Sequence, residues 1–139
     1  MATTIRAELS EKNKYWIDKH RYYELKHFCL QYPVWKAAYV AIDGLVGRAS
    51  DLAGFSKTNV HSDPTAKCVE EKSYYFERMK IIEKAAYEAD PELARYILKA
   101  VTEELSFTFL KTRLEIPCGR DMYYDRYRRF FWLLNKSRN

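Results

Sequence analysis

Residues 106–135, SFTFLKTRLEIPCGRDMYYDRYRRFFWLLN, contain two helical patterns separated by a short break. The first pattern begins at Ser106, whose hydroxyl can accept a hydrogen bond from a free backbone N–H and so cap a helix. The break is the run IPCG at 116–119, in which proline disfavours helical dihedrals in the residue before it and glycine relaxes the turn. The stretch therefore predicts a short helix, a tight turn and a second helix that begins near Arg120.

Each predicted helix has one apolar face. In the first helix, Phe107, Leu110 and Leu114 recur at helical spacing. The second helix has an inner stripe of large side chains: Tyr123, Tyr127, Phe130, Phe131 and Leu134. Its outer side keeps mostly polar residues: Arg120, Asp121, Tyr124, Arg128 and Asp125. Two helices joined by three or four residues, the second with an arginine-rich outer face, are typical of a helix-turn-helix, although a hairpin with a solvated basic face gives the same pattern.

Composition and charge narrow the class of protein. A chain of 139 residues with 12 tyrosines, four glycines and four prolines suits one domain, or a small domain with a helical extension. The formal net charge is +5, and residues 118–139 hold six Arg or Lys against two Asp, a net of +4. Positive charge concentrated on one helix attracts polyanions.

The cysteines predict a reducing environment. Cys29, Cys68 and Cys118 are odd in number and lack metal-ligand spacing, so we expect free thiols and a cytoplasmic location. The N-terminal residues lack the apolar core of a signal peptide, and no apolar run approaches the roughly 20 residues that a membrane span needs. His20 and His27 lie seven residues, or two helical turns, apart and are not adjacent, and we expect packed or surface side chains there.

Two further helices are predicted in the N-terminal third. The first begins at Ser10, and its predicted face steps by four and three residues: Trp16, His20, Tyr23, His27 and Leu30. Ile17 and Phe28 widen that side. The second begins at Pro33 and ends at Gly44. Small side chains form its predicted packing face: Val34, Ala37, Ala38, Ala41 and Ile42. A long loop is expected from Gly44 to Pro64.

The third helix is predicted to begin at Pro64 behind the cap Asp63 and to run to about Glu88. Its expected seam would pack on the first helix or on a second subunit: Cys68, Tyr75, Met79, Ile82, Ala86 and Ala89. A fourth helix is expected from Asp90-Pro91, with an inward face of Leu93, Ile97, Leu98 and Val101. The predicted fold is all-α: an N-terminal helical hairpin and loop over residues 1–62, then a long helix leading into a C-terminal three-helix helix-turn-helix over 63–139.

Signatures of enzyme chemistry are missing from the sequence. The glycines do not form a phosphate-binding loop after a strand, and no serine stands in a Gly-x-Ser-x-Gly frame. Paired carboxylates such as Glu70-Glu71 and Glu103-Glu104 are ordinary helix-surface residues. We therefore expect no enzyme, no cofactor and no metal.

Three segments resemble phage-encoded late-gene transcriptional activators of the RinA/ArpU type, which occur in phages and prophages of Gram-positive bacteria. They are SDPTAK at 62–67, KIIEKA at 80–85 and, most strongly, IPCGRDMYYDRYRRFF at 116–131. The resemblance covers about residues 44–136. Gly119 stands where such proteins commonly have a capping serine, and Met122 where threonine is common, which weakens the helix start or a phosphate contact.

The resemblance implies a C-terminal fold like the promoter-reading end of sigma factors and a role in switching on late phage genes. The charge pattern indicates double-stranded DNA as partner, with helix 120–135 in the major groove. The expected base-contacting residues are Arg120, Asp121, Tyr124 and Arg128. The expected phosphate-contacting residues are Lys111, Arg126 and Arg129.

Two other functions fit the same sequence. A protein-binding inhibitor, or an adaptor for host RNA polymerase, would use the aromatic-rich hairpin from Tyr15 to Tyr39 as its binding face. Core packing is the more ordinary role for those aromatic side chains. A small DNA-packaging protein would use the same helix-turn-helix as an activator. Contact with RNA polymerase and formation of a homodimer are left open by the sequence.

Overall fold

The computed structural model describes the backbone of residues 13–52 and 64–138, and the side chains of residues 13–44 and 66–138. Within these ranges the chain forms six α-helices and no strand. They are α1 (Lys19–Leu30), α2 (Tyr32–Leu52), α3 (Pro64–Ala89), α4 (Ala94–Glu103), α5 (Phe107–Arg113) and α6 (Arg120–Ser137). The predicted all-α class is confirmed.

Helix α1 begins later than predicted. The backbone carbonyl of Asn13 accepts a hydrogen bond from the N–H of Trp16 at 3.0 Å, which makes a turn. The Asp18 carboxylate then accepts from the N–H of His20 at 3.0 Å and caps α1 at Lys19. The predicted helical conformation of residues 13–18 is therefore wrong, because the Asp18 cap places the start of the helix at Lys19. The predicted start at Ser10 lies outside the described residues.

The buried face of α1 differs in part from the predicted one, of which Ile17, just before the helix, and Phe28 are buried. Tyr22, Leu25, Phe28 and Cys29 are buried, and Tyr22 packs its ring 5.0 Å from that of Phe131. The residues of the predicted stripe are exposed or half-buried: Trp16, His20, Tyr23, His27 and Leu30. Both sides of α1 carry aromatic residues, so helical spacing alone does not predict which side is buried. The side that contacts the aromatic stripe of α6 is the buried one.

Helix α2 continues through Gly44 to Leu52, so the predicted end at Gly44 and the start of the predicted loop are wrong. An isolated glycine lowers helix stability by about 1 kcal/mol without breaking the helix. On the predicted face Ile42 is buried as expected, but Val34 is 67% exposed, and Trp35, outside that face, is buried. The rest of the predicted loop, residues 53–63, lies outside the described residues.

Helix α3 begins at Pro64, as predicted, and ends at Ala89, one residue beyond the predicted end. The predicted cap Asp63 lies outside the described residues. Buried side chains gather in its C-terminal half: Met79, Ile82, Ala85, Ala86 and Ala89. Cys68 and Tyr75, in the predicted seam, are only half-buried. The main neighbours of α3 are α2, α6 and α4, rather than α1.

Helices α2 and α3 run antiparallel, and three contacts join them at matching intervals along both helices. The Tyr32 hydroxyl donates to the Glu83 carboxylate at 2.8 Å. Burial and this hydrogen bond both raise the pKa of Tyr32. The rings of Tyr39 and Phe76 lie 6.1 Å apart. Further out, the Lys72 ammonium donates to Asp43 at 2.5 Å. Lys72 interrupts the apolar seam of α3 because it reaches across to α2.

The start of α4 is set by a side-chain cap. The Asp90 carboxylate accepts from the N–H of Glu92 at 2.9 Å and of Leu93 at 3.2 Å, which holds residues 91–93 in a turn. The helix therefore begins at Ala94, not at Asp90-Pro91 as predicted. Leu93, Ile97 and Val101 are buried as expected, and Leu98 is partly buried.

One hydrophobic core joins residues from the whole described chain. Its fully buried members include Leu25 of α1, Ile82 of α3, Ile97 of α4 and Phe130 of α6. Helix α6 packs chiefly along α3 and also contacts α1, where the hydroxyls of Tyr22 and Tyr127 lie 2.9 Å apart. The core thus includes side chains from both sides of residue 62, where the sequence predicted a division into domains.

Candidate nucleic-acid interface

The two helices around the predicted turn form as expected. The Ser106 hydroxyl accepts a hydrogen bond from the Phe109 N–H at 3.2 Å and caps α5. Helix α6 begins at Arg120, and its five stripe residues are all buried: Tyr123, Tyr127, Phe130, Phe131 and Leu134. Burial raises the pKa values of the Tyr123 and Tyr127 hydroxyls, because the ionised phenolate loses its solvation in the core. The inner side of α6 is therefore occupied by the protein itself.

The turn between α5 and α6 is held by three hydrogen bonds. The Ile116 N–H donates to the carbonyl of Leu110 at 3.1 Å. The Lys111 ammonium donates to the carbonyls of Ile116 and Cys118, each at 3.4 Å. Ile116 is buried, and burial raises the pKa of the Cys118 thiol above its usual value. Lys111 keeps an exposed surface while it braces the turn.

Arg120 lies exposed at the first turn of α6, on an aromatic support. Its guanidinium is 5.5 Å from the centre of the Phe107 ring and 5.7 Å from that of Tyr124. Tyr124 is half-buried because its ring packs 6.0 Å from Phe107. Neighbouring Asp121 is exposed. Within the described part of the chain, no carboxylate forms an ion pair with Arg120.

Arg126 is committed to an internal ion-pair network. Its Nε donates to Asp90 at 3.1 Å, and its Nη1 donates to Asp125. The hydrogen bond to Asp90 raises the pKa of Arg126. Asp90 also holds the turn before α4, so this network joins α6 to the α3–α4 junction. Most of the charge of Arg126 is therefore already balanced by two carboxylates.

The predicted base and phosphate contacts fall on two adjoining sides of α6. Arg120, Tyr124 and Arg128 are spaced by four residues and share one side, while Arg126 and Arg129 are spaced by three and share the next. Arg128 and Arg129 are half-buried. The Nε of Arg128 is buried and has no hydrogen-bond partner among the described atoms. Of the predicted base readers, Arg120 and Tyr124 lie together beside Phe107, whereas Arg126 lies apart in its ion pairs.

The sequence did not predict that the N-terminal segment covers the end of α6. The Tyr15 ring lies 5.5 Å from that of Trp132, and the Arg21 Nε donates to the Asn135 side-chain oxygen at 2.6 Å. The Lys136 ammonium lies 3.4 Å from the centre of the Trp132 ring. The Tyr15–Trp132 and Arg21–Asn135 contacts join residues more than one hundred positions apart, for which no local pattern exists. They cover part of the outer face near the end of α6.

No family model, no curated protein and no solved structure matches this chain. Among the described helices, none is both long enough and apolar enough to cross a membrane. The described side chains also include no cluster of three or more His, Cys, Asp or Glu residues that could hold a metal ion.

Proposed function

We propose that this protein is a sequence-specific DNA-binding transcription regulator of phage or prophage genes, which places helix 120–135 in the major groove. The observation that supports this most is the position of Arg120. Its guanidinium is exposed at the first turn of a helix whose inner side is buried, and no carboxylate in the described chain neutralises it. Recognition helices present the side chains of such a turn to base edges.

The aromatic support gives Arg120 a suitable geometry for reading bases. Phe107 and Tyr124 limit the conformations of the guanidinium, which lowers the entropy lost when it pairs with two acceptors of guanine. We assign further base contacts to Asp121, Tyr124 and Arg128, which surround Arg120 or follow it along the helix. The half-buried state of Tyr124 suits a contact with a thymine methyl group or a phosphate.

Lys111 and Arg129 are the proposed phosphate contacts. Lys111 lies beside the turn, at the edge of the surface that would face the duplex, and Arg129 forms no ion pair with any described carboxylate. Arg126 was expected to hold a phosphate as well. Because Asp90 and Asp125 already balance its charge, its contribution to the salt dependence should be smaller than that of Arg129.

The wider assignment rests on the resemblance and the helix order. The strongest resembling segment, 116–131, covers the turn and four of the five residues in the buried stripe of α6. We propose that α4, α5 and α6 act as the three helices of a helix-turn-helix unit. The net charge of +4 over residues 118–139 supports a polyanionic partner. Three cysteines that are free in the structure support a cytoplasmic location.

The alternative of protein binding through the Tyr15 to Tyr39 face has less support. Tyr22, Phe28 and Trp35 are buried in the core, so the fold itself accounts for these aromatic side chains. A DNA-packaging protein would use the same surface of α6 as a regulator. Mapping the positions of the bound protein on the phage genome distinguishes promoter sites from packaging sites.

The test begins with enrichment of binding sites from a pool of randomised duplex DNA. Titrations then compare the enriched site with a scrambled duplex at two salt concentrations. Arg120→Ala should cost roughly 1–3 kcal/mol on the enriched site and change scrambled binding little. Arg129→Ala is the matched control, and it should weaken both duplexes equally and lower the salt slope by about one unit.

Two outcomes would contradict the proposal. If Arg120→Ala weakens the enriched and scrambled duplexes equally, α6 does not read sequence. A slope near zero in the salt titration of the unchanged protein contradicts a groove-bound basic helix, because each neutralised phosphate should contribute about −0.9. Circular dichroism of both variants checks that helicity is preserved.

A further inference from the structure

An apolar stripe along one side of α3 is exposed and includes none of the proposed DNA-contacting residues. Val69 is 55% exposed, Phe76 44% and Tyr87 63%. Spacings of 7 and 11 residues place all three on one side of the helix. From Val69 to Tyr87 the stripe is about 27 Å long, at a rise of about 1.5 Å per residue. Exposed apolar side chains in one line, rather than scattered singly, are typical of a binding surface.

Neighbouring helices turn this stripe into a groove with two parts. At one end Tyr39 of α2, together with Val69 and Phe76, lines a hollow of about 310 Å³. At the other end α3 and α4 enclose a hollow of about 570 Å³, whose apolar lining includes Tyr87, Ala94 and Leu98. Lys80 of the larger hollow lies next to the smaller one, with its ammonium 5.4 Å from the centre of the Phe76 ring. The length and the apolar lining suit a helix laid along α3.

The rim of the larger hollow carries an excess of positive charge. Lys80, Lys84 and Arg95 line it, against the single carboxylate of Glu83. Glu83 is 3.8 Å from Lys80 and also accepts a hydrogen bond from Tyr32. Lys84 has only a loose, exposed pair with Glu88 at 3.9 Å. Arg95 forms no ion pair with a described carboxylate and lies 4.6 Å from the centre of the Tyr96 ring.

These charges discriminate between possible occupants. A second copy of the chain would bring the same positive rim, and like charges facing each other oppose association. Duplex DNA would be attracted by the positive side chains, but its phosphates would face Tyr87 and Leu98, which would then lack apolar partners. A helix with an apolar face and acidic flanks satisfies both features. We propose that the groove along α3 binds an acidic amphipathic helix of a partner protein.

In this arrangement the partner's apolar residues, spaced as i, i+3 or i+4, and i+7, fill the two hollows. Its Asp and Glu side chains face Lys80, Lys84 and Arg95. Tyr87, which is exposed and lines the larger hollow, is the expected anchor, since aromatic residues often contribute most to binding. This binding is independent of the DNA contacts of α6, and either activity can fail without the other.

The probe for the test is a display library of 18-residue helical peptides with randomised apolar and charged positions, panned on the full-length chain. The proposal expects enrichment of net-acidic peptides with apolar residues at helical spacing. Synthetic versions are then titrated against Tyr87→Ala and Arg95→Glu, each of which should weaken binding by at least about tenfold. The matched controls are Tyr74→Ala and Lys67→Glu, which alter exposed residues on other sides of α3 and should leave affinity unchanged.

Several results would overturn the proposal. These are no enrichment, enrichment of basic or neutral peptides, or acidic peptides whose affinity is the same for the groove variants as for the controls. Sedimentation of the unchanged chain would overturn it in favour of a second copy if it shows a dimer that Tyr87→Ala dissociates. Competition between short duplex DNA and the peptide, lost in Arg95→Glu but retained in Arg120→Ala, would instead assign the groove to nucleic acid.

Discussion

Helices α2 and α6 are both long, and each has an apolar stripe that is plain in the sequence, but the structure treats them differently. In α6 all five residues of the predicted stripe are buried. In α2 three members of the predicted stripe, Val34, Ala37 and Ala41, are exposed. Its Ile42 is buried together with Trp35, which was not part of the predicted stripe. Trp35 packs its ring 4.9 Å from that of Phe28.

The difference shows that the area of a side chain counts for more than the regularity of a pattern. Each buried aromatic side chain removes about 150–250 Å² from water, far more than an alanine can. A helix therefore turns its largest apolar side chains inward, even when a neat stripe of small residues lies elsewhere. In α6 the pattern and the large side chains coincide, and in α2 they do not.

The largest expected effect contrasts the two stripes directly. Phe130→Ala or Phe131→Ala should lower the free energy of unfolding by about 3–5 kcal/mol, because each leaves a cavity in a fully buried site. Val34→Ala, in the exposed stripe of α2, should change it by less than about 0.5 kcal/mol. Urea denaturation of the three variants measures both values. A costly Val34→Ala would show that this face is covered in solution.

A smaller effect should appear at alkaline pH. Burial raises the pKa values of Tyr123 and Tyr127 in the folded protein, whereas the unfolded chain titrates near 10. The stability from these two hydroxyls is therefore complete below about pH 10 and is lost as the pH rises above it. At pH 11 the loss should be roughly 1.4 kcal/mol for each tyrosine.

Denaturation midpoints measured from pH 8 to pH 11 test this prediction. Tyr127→Phe should flatten the decline above pH 10. Tyr32→Phe in α2 should also flatten the decline, because burial and the hydrogen bond to Glu83 raise the pKa of Tyr32. A decline that neither substitution flattens would contradict the raised pKa values of these tyrosines in the folded protein.

The smallest expected effect uses one substitution at two glycines. Gly44 lies inside α2 with open space around the position of a Cβ, so Gly44→Ala should raise stability by roughly 0.5–1 kcal/mol. Gly119 is the N-cap of α6, with extended backbone angles (φ −83°, ψ 173°). Alanine is a poorer N-cap than glycine, so Gly119→Ala should lower stability by a few tenths of a kcal/mol. Stability changes of the same sign for both substitutions would contradict the placement of Gly44 inside a helix and of Gly119 at a helix N-cap.

Local signals in the sequence predicted the parts of the structure that depend on neighbouring residues. The Ser106 cap, the turn at 116–119, the start of α6 and its buried stripe all follow from residues within about two helical turns of one another. The start of α3 at Pro64 is of the same kind. The proposed base reader Arg120 was predicted in the first turn of α6, and the structure places it there, exposed.

Other predictions were wrong because two local signals in the sequence competed. Gly44 was read as a helix end, but a single glycine only weakens a helix, and packing along α3 carries α2 beyond it. Asp18 and Asp90 each hold a turn through their carboxylates and so delay the helices that follow. In α1 two aromatic sides were available, and the sequence offered no reason to prefer the side of Tyr22.

The sequence by itself determined the helical class, the turn before α6 and the aromatic stripe, because short-range hydrogen bonding and the spacing of large apolar residues specify them. Tertiary structure alone decided which arginines of α6 remain open. Arg126 is neutralised by Asp90 from the α3–α4 junction, and the end of α6 is covered by Tyr15 and Arg21. Tertiary structure also decided that the side of α3 from Val69 to Tyr87 stays exposed. These outcomes depend on contacts between distant residues, whose free energies arise only when the helices pack together.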